Sequence, residues 1–462
     1  MPKRHILIIN PICEKAEVIR SALSDLDDCD VTILPSLTQA HGLIINDEVN
    51  MIIICIGDQE DWSTIGIEES RLFSERLIHT HRYRLIAIIQ SDQSKIMPQL
   101  IKSGFSLVIP EPVHAKQLCK QISGLFRLAA MHQELELRWQ TAGQFQTFGE
   151  TEAALPEAQG EVPLNLSTPR ILVYNTTGDN PYTASVISRL KSFAFIKTVD
   201  NEEDAIKALA SNVADICAVI VDSEQTETGL SFIAGTLATT EFNRFPMVAV
   251  LAEADSTLVE ECFSQGCSDL FLGDMSAADL NVRVRMLTRI EKMREVINKD
   301  FDSLQGSRIK DTLTDCYTYG FAMEHLQKLI ESSKTDGKPI SIAYLRISNL
   351  ADINLYYDFS SGDHVWRQFA SIINRVSRST DLVARLSGTS ILLIFHDASL
   401  SKAQEILDRF TSIVGRIVFK LPGLEETVRL NLDQACLNWE GELEAKNFVD
   451  RLNTILRRND AA

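Results

Sequence analysis

Arg378-Ser379-Thr380-Asp381 sets a guanidinium and a carboxylate three residues apart. An arginine fork can bond the O6/N7 edge of a guanine, stack on the base and meet a phosphate with its fixed charge, while a carboxylate can accept from the N1/N2 edge. The same spacing on a helix makes an ordinary surface ion pair. A chain of this size carries about one such pattern by chance, so its position decides its meaning. His79-Thr80-His81 could ligate a metal, but it stands beside Arg82 and Arg84 without a carboxylate or cysteine and reads as a solvated basic loop. Nine cysteines are scattered singly from Cys13 to Cys436 with no CxxC pair, which points to reduced, mostly buried thiols.

The 462 residues suggest about three domains. Forty-five Lys and Arg against 63 Asp and Glu give a net charge of −18, which disfavours a nucleic-acid-coating or membrane-surface role. The apolar runs are strand-sized, shorter than the roughly 20 residues of a membrane helix. MPKRHILIIN enters a buried strand within a few residues and lacks a cleavage site, so the expected location is the cytoplasm.

The elements that must position any chemistry follow from the apolar pattern. HILIIN (5–10), MIIICIG (51–57), RLIAIIQ (84–90) and SLVIP (106–110) are continuous β-branched runs separated by amphipathic stretches, which predicts parallel strands buried on both faces over residues 1–130. Residues 131–168 continue a helix and then turn rich in Gly, Pro, Gln and Glu, as a flexible linker does. The first pattern then returns as RILVYN, DICAVIVD, PMVAVLA and DLFLGD over residues 169–290, offset by 162 to 165 positions, so a domain is duplicated. A helical pattern from 276 to 306 supplies a connector at 291–308 or a dimer seam. Residues 309–462 mix hairpin-like strands with helices, as in an α+β domain.

The two doubly wound, flavodoxin-like halves resemble receiver domains of response regulators. That resemblance implies an acidic pair holding Mg²⁺ after the first strand, a phosphoacceptor Asp ending the third and a Lys closing the fifth. The first half has Asn10-Pro11 for the pair, Gly57 then Asp58 at the acceptor, and Pro110 or Glu111 for the Lys. The second keeps Asp222 as a possible phosphoacceptor but has Asn175-Thr176 and Gly273-Asp274 elsewhere. Both are expected to serve as docking and dimerisation surfaces.

DTLTDCYT (311–318) and RSTDLVARLSGTSI (378–391) resemble the opening and signature segments of GGDEF domains, the nucleotide-cyclase-like domains of diguanylate cyclases. With the receiver pair, the order of domains resembles PleD-type regulators. The signature loop reads Ser387-Gly388-Thr389-Ser390-Ile391, Arg346 and Ser348 stand where the family has metal-binding acids, and no carboxylate is expected to compensate Arg346. Leu432-Asp433-Gln434 replaces the family's SIG turn, and Arg457-Arg458-Asn459 is what remains of a phosphate-binding segment. The resemblance thus implies no catalytic residue, no bound metal and no cofactor. Asn354 and Asp363 match guanine-binding positions, although they would equally cap a turn and a helix N-terminus. Arg378, Asp381 and Arg409 match the family's product-binding inhibitory site, which implies cyclic di-GMP as ligand.

A degenerate GGDEF domain behind two degenerate receivers resembles PopA-type regulators. This implies a homodimeric bacterial effector in cell-cycle control, placed at the cell pole, that delivers an accessory adaptor and substrates to the ClpXP protease, with no nucleic-acid or membrane partner. Three alternatives stay open: a cyclase of unusual chemistry, a scaffold that binds no nucleotide, and an output protein controlled by phosphorylation at Asp222.

Overall fold

Residues with a β-branched side chain at nearly every position cannot line a half-solvated sheet, and the N-terminal runs become parallel strands. The computed structural model describes residues 4–56, 85–145, 168–299 and 308–459, apart from short breaks within these ranges. Gly57, Asp58, the histidines at 79 and 81, and most of the expected linker (146–167) lie outside the described residues.

Strands β1 (Arg4–Ile9), β2 (Cys29–Leu34), β3 (Met51–Cys55), β4 (Leu85–Ile89) and β5 (Leu107–Pro110) form one parallel sheet in the order β2-β1-β3-β4-β5. Strands β6 (Arg170–Tyr174), β7 (Phe195–Val199), β8 (Ile216–Ile220), β9 (Met247–Leu251) and β10 (Asp269–Leu272) repeat it as β10-β9-β8-β6-β7. Both are the 2-1-3-4-5 order of flavodoxin-like sheets. Alternation sends Leu7, Ile9 and Ile52 to one side of the first sheet and Ile6, Ile8 and Ile53 to the other. The second side is continuous with Ile171, Val173 and Ile216 of the second sheet. Leu118 and Ile122 of helix α1 (Ala115–Ala142) and Leu280 and Val284 of helix α2 (Ala277–Lys299) complete this shared core. Residues 3–130 and 160–293 are accordingly one compact unit.

A buried polar network pins the two halves. Gln117 donates to Asp269 Oδ1 at 2.7 Å, Arg283 Nη1 reaches the same oxygen at 3.1 Å, and Arg283 Nε bonds Asp279 at 2.8 Å. Burial works against the Arg283 charge, but Asp269 and Asp279 outweigh it and hold the guanidinium pKa above its ordinary value.

The second unit comprises residues 1–2, 131–159 and 294–462. Its sheet runs β11 (Tyr317–Thr318), β13 (Asp381–Ser387), β14 (Ser390–His396), β12 (Ile340–Ile347) and β17 (Leu432–Asn438), with β12 antiparallel to both neighbours. Strands β15 (Phe419–Lys420) and β16 (Thr427–Val428) form a separate ribbon. Helices α3 (Tyr319–Asp336), α4 (Leu350–Tyr356), α5 (Phe359–Val376), α6 (Leu400–Arg416) and α7 (Ala445–Asn459) connect the strands. Trp366, Phe369 and Ile373 of α5 and Leu407 and Phe410 of α6 pack with Ala343, Leu345 and Leu393 of the sheet. The last part of α1 belongs to this unit, and the helix expected to continue past residue 131 runs packed as far as Ala142.

Candidate functional site

Helix α5 ends where the Ser377 N–H and hydroxyl both donate to the Ile373 carbonyl. The chain then makes a tight turn: Asp381 N–H donates to Arg378 O at 3.0 Å, and Arg378 N–H donates to Asp381 Oδ2 at 2.9 Å. The helical pairing considered for Arg378 and Asp381 therefore does not occur. The carboxylate instead acts as a local cap on a turn leading into β13, which is why a three-residue spacing was ambiguous. Asp381 is buried, Arg378 is half-buried, and Arg409 stands on the exposed side of α6. Arg409 is pulled below the ordinary guanidinium pKa, first by partial burial and next by the Arg378 charge, which outweighs the opposing effect of Asp381. The Arg378 and Arg409 charges are thus close enough to oppose one another, a repulsion that a bound anion would relieve.

The turn has a further partner that sequence reasoning missed. Arg138 of α1 sends Nη2 to the carbonyls of Ser379 (3.1 Å) and Asp381 (2.9 Å), Nε to Glu134 (2.6 Å) and Nη1 to the Tyr317 hydroxyl (3.4 Å). Glu134 also lies 3.1 Å from His325 Nε2 and 3.6 Å from His396 Nδ1. Burial would raise the Glu134 pKa, yet Arg138, His325 and His396 hold it well below the ordinary carboxylate value. In sequence, Glu134 and Arg138 are simply an i,i+4 pair of the kind that usually faces water.

At the loop matching the signature motif, β13 and β14 close through Gly388 (φ 48°), with a register shift between Arg385 and Ser387. Arg346 lies in register between Ser390 of β14 and Asp433 of β17, and its Nη2 is 2.7 Å from Asp433 Oδ2. The expectation that no carboxylate compensates Arg346 is corrected: Asp433 comes from a strand 87 residues away in sequence, and only the sheet register brings it there. The Ser348 hydroxyl donates to Asn431 O. Arg457 and Arg458 fall in the last turn of α7. Asp311 anchors the opening motif, accepting from the Thr314 N–H and hydroxyl and from Arg385 Nη1 at 2.9 and 3.0 Å. Burial opposes its ionisation, but the Thr314 and Arg385 bonds keep its pKa below the ordinary value.

Asn354 sits in α4 and Asp363 in the second turn of α5. Neither is a cap. Asp358 caps α5, accepting from the Ser361 N–H, because it is the residue with the extended backbone before the first helical turn. The Asn354 side chain lies over Gly362, and its Oδ1 is buried with no hydrogen-bond partner among the described residues.

Asp222 follows β8, and its carbonyl accepts from the Thr226 hydroxyl. Burial, then the Asp222 charge, raise the pKa of the Tyr182 hydroxyl. Asn175 donates to Gly178 O and Thr176 to Ile220 O, so both satisfy backbone. Among the described residues no three His, Cys, Asp or Glu side chains are grouped to hold a metal, and no helix is long and apolar enough to cross a membrane. Eight cysteines are described, and all are free thiols.

A mixed five-stranded sheet with β12 antiparallel to both neighbours and a signature-type hairpin beside it defines a nucleotide-cyclase-like domain. Residues 308–461 match the family model described as diguanylate cyclase, GGDEF domain, so the chain carries a GGDEF domain. Over 362 residues, 78% of this chain and 76% of the relative, it is 21% identical to Response regulator PleD of Caulobacter vibrioides (strain NA1000 / CB15N). It is 28% identical over 140 residues to Diguanylate cyclase A of Treponema denticola, covering 30% of this chain and 37% of that one. The GGDEF domain of DgcB from Caulobacter crescentus, solved in complex with c-di-GMP, aligns at 20% identity over 33% of this chain and 88% of its own, with a TM-score of 0.32.

Proposed function

We propose that this chain is a catalytically inactive cyclic di-GMP effector that binds its ligand through Arg378, Asp381 and Arg409. The observation that carries this is the Arg378–Asp381 turn, closed by hydrogen bonds in both directions, with the Arg409 charge near enough to feel Arg378. Cyclic di-GMP presents phosphodiester charges and guanine O6/N7 edges, which two arginine forks match. Inactivity is supported by Arg346, whose guanidinium is already balanced by Asp433 on the strand that would have to hold metal carboxylates.

Downstream, the reading is of a cytoplasmic, homodimeric, PopA-like signalling scaffold whose loaded form recruits protein partners at the cell pole, including an adaptor and substrates of ClpXP, in cell-cycle control. This part rests on the likeness to that group. Phosphorylation at Asp222 is the weaker control mechanism, since Asn175 and Thr176 offer no metal-binding carboxylate. GTP at a separate site is a second reading that rests on the resemblance of Asn354 and Asp363 to guanine-binding positions; Asp363 is exposed, whereas Asn354 Oδ1 is packed over Gly362.

Calorimetric titration with cyclic di-GMP tests the reading. Saturable binding lost in both Arg378→Ala and Arg409→Ala supports it, and silence of the wild-type chain at high ligand concentration rejects it. GTP with Mg²⁺, titrated separately and followed chromatographically, should give no cyclic di-GMP.

A further inference from the structure

Arg138 is almost fully buried, at 3% exposure, and every nitrogen of its guanidinium is committed. Nε holds Glu134, Nη1 faces the Tyr317 hydroxyl, and Nη2 donates to the carbonyls of Ser379 and Asp381. Those two carbonyls belong to the turn that presents Arg378. A buried arginine is costly unless its bonds are satisfied, and half of the bonds that satisfy this one are made to the turn.

We propose that Arg138 is a positioning residue for the cyclic di-GMP site, fixing the Arg378–Asp381 turn, and that residues 131–142 of α1 therefore sense the ligand. The inference rests on the proposed function and adds its regulation. Glu134 sets the Arg138 fork and itself lies 3.1 Å from His325 Nε2 of α3 and 3.6 Å from His396 Nδ1 of β14, so the group that orients Arg138 is packed among three elements of the domain. Binding and helix docking are reciprocal: a ligand that prefers the braced turn must also strengthen the seating of residues 131–142. Lysine cannot replace this fork, because a single ammonium cannot reach Glu134, Tyr317 and two carbonyls in a fixed plane.

Hydrogen exchange followed by mass spectrometry on the full chain, with and without saturating cyclic di-GMP, tests this beside calorimetry of Arg138→Lys and Tyr317→Phe. The expected result is that ligand slows exchange in residues 131–142 as well as at 378–381. Arg138→Lys should weaken binding at least tenfold and speed exchange of the Arg378 and Asp381 amides in the ligand-free protein. Tyr317→Phe, which removes only the Nη1 partner of Arg138, should weaken binding less than Arg138→Lys does. Unchanged exchange at 131–142 on saturation, or wild-type affinity in Arg138→Lys, overturns the positioning role while the ligand reading stands. If the wild type binds no cyclic di-GMP, the ligand reading fails and the sensing role falls with it; the amide exchange of the ligand-free Arg138→Lys turn still reports whether Arg138 braces it.

Discussion

Gly362 leaves open the space that the Asn354 side chain fills: a Cβ at residue 362 would overlap Asn354 Oδ1. In most helix interiors glycine to alanine is favourable by roughly 0.5–1 kcal/mol. Here the sign should reverse. Gly362→Ala is expected to destabilise by about 1–3 kcal/mol through overpacking, and Asn354→Ala in the same chain should recover most of it. Urea titrations of the two single variants and the double variant read the coupling; a neutral single variant would refute it.

The Arg346–Asp433 pair predicts a metal response. The side chains are 26% and 40% exposed, so Asp433→Ala should cost no more than about 1 kcal/mol. Arg346→Asp places a carboxylate opposite Asp433. That variant should be destabilised by like-charge repulsion and rescued by millimolar Mn²⁺ in a thermal shift assay, whereas the wild type should not respond. Equal responses of the two proteins would contradict this account.

Asp311 joins the opening motif to the signature hairpin. Asp311→Ala removes the acceptor for Thr314 and Arg385 at once and should cost about 1–3 kcal/mol. Because Arg385→Ala breaks the shared Arg385–Asp311 bonds from the other side, the double variant should be less destabilised than the sum. Additive losses in chemical denaturation would show the two to be independent.

Acid should weaken the bracing of Arg138. The folded state holds Glu134 well below the ordinary carboxylate value, because Arg138 and the two histidines outweigh burial. Stability from this group is therefore fully present above that value and is lost as pH falls through the lower folded pKa. Glu134→Gln should be less stable than wild type at pH 7 by about 3–5 kcal/mol, since it leaves a buried cation short of its partner. The gap should narrow as pH drops toward 3. A gap independent of pH in urea midpoints would mean that Glu134 is not ionised in the native protein.

Much of this architecture was legible in the sequence. Runs such as Met51–Cys55 and Ile216–Ile220 could only be strands covered on both faces, and the repeat spacing announced a second sheet of the same order. The flanking motifs single out Arg378, Asp381 and Arg409 as a candidate set, which the cyclic di-GMP titration tests. What escaped was long-range or disguised. Asp433 meets Arg346 only after β17 adds to β12, Asp358 takes the capping role that Asp363 was considered for, and Glu134 with Arg138 has the spacing of a solvated pair. Spacing reports which residues share a helix face; it does not report what that face is pressed against.

The core common to the first two sheets has an evolutionary and practical corollary. The cores behind Ile8 and Val173 join through Leu125 of α1 and Met286 and Leu287 of α2, so each copy of the duplicated segment has surrendered a helix surface that an autonomous domain would keep polar. The copies are no longer interchangeable modules. Excising either one to graft a sensor elsewhere would expose a greasy wall, and substitutions on the facing sides of α1 and α2 must be matched across the duplication.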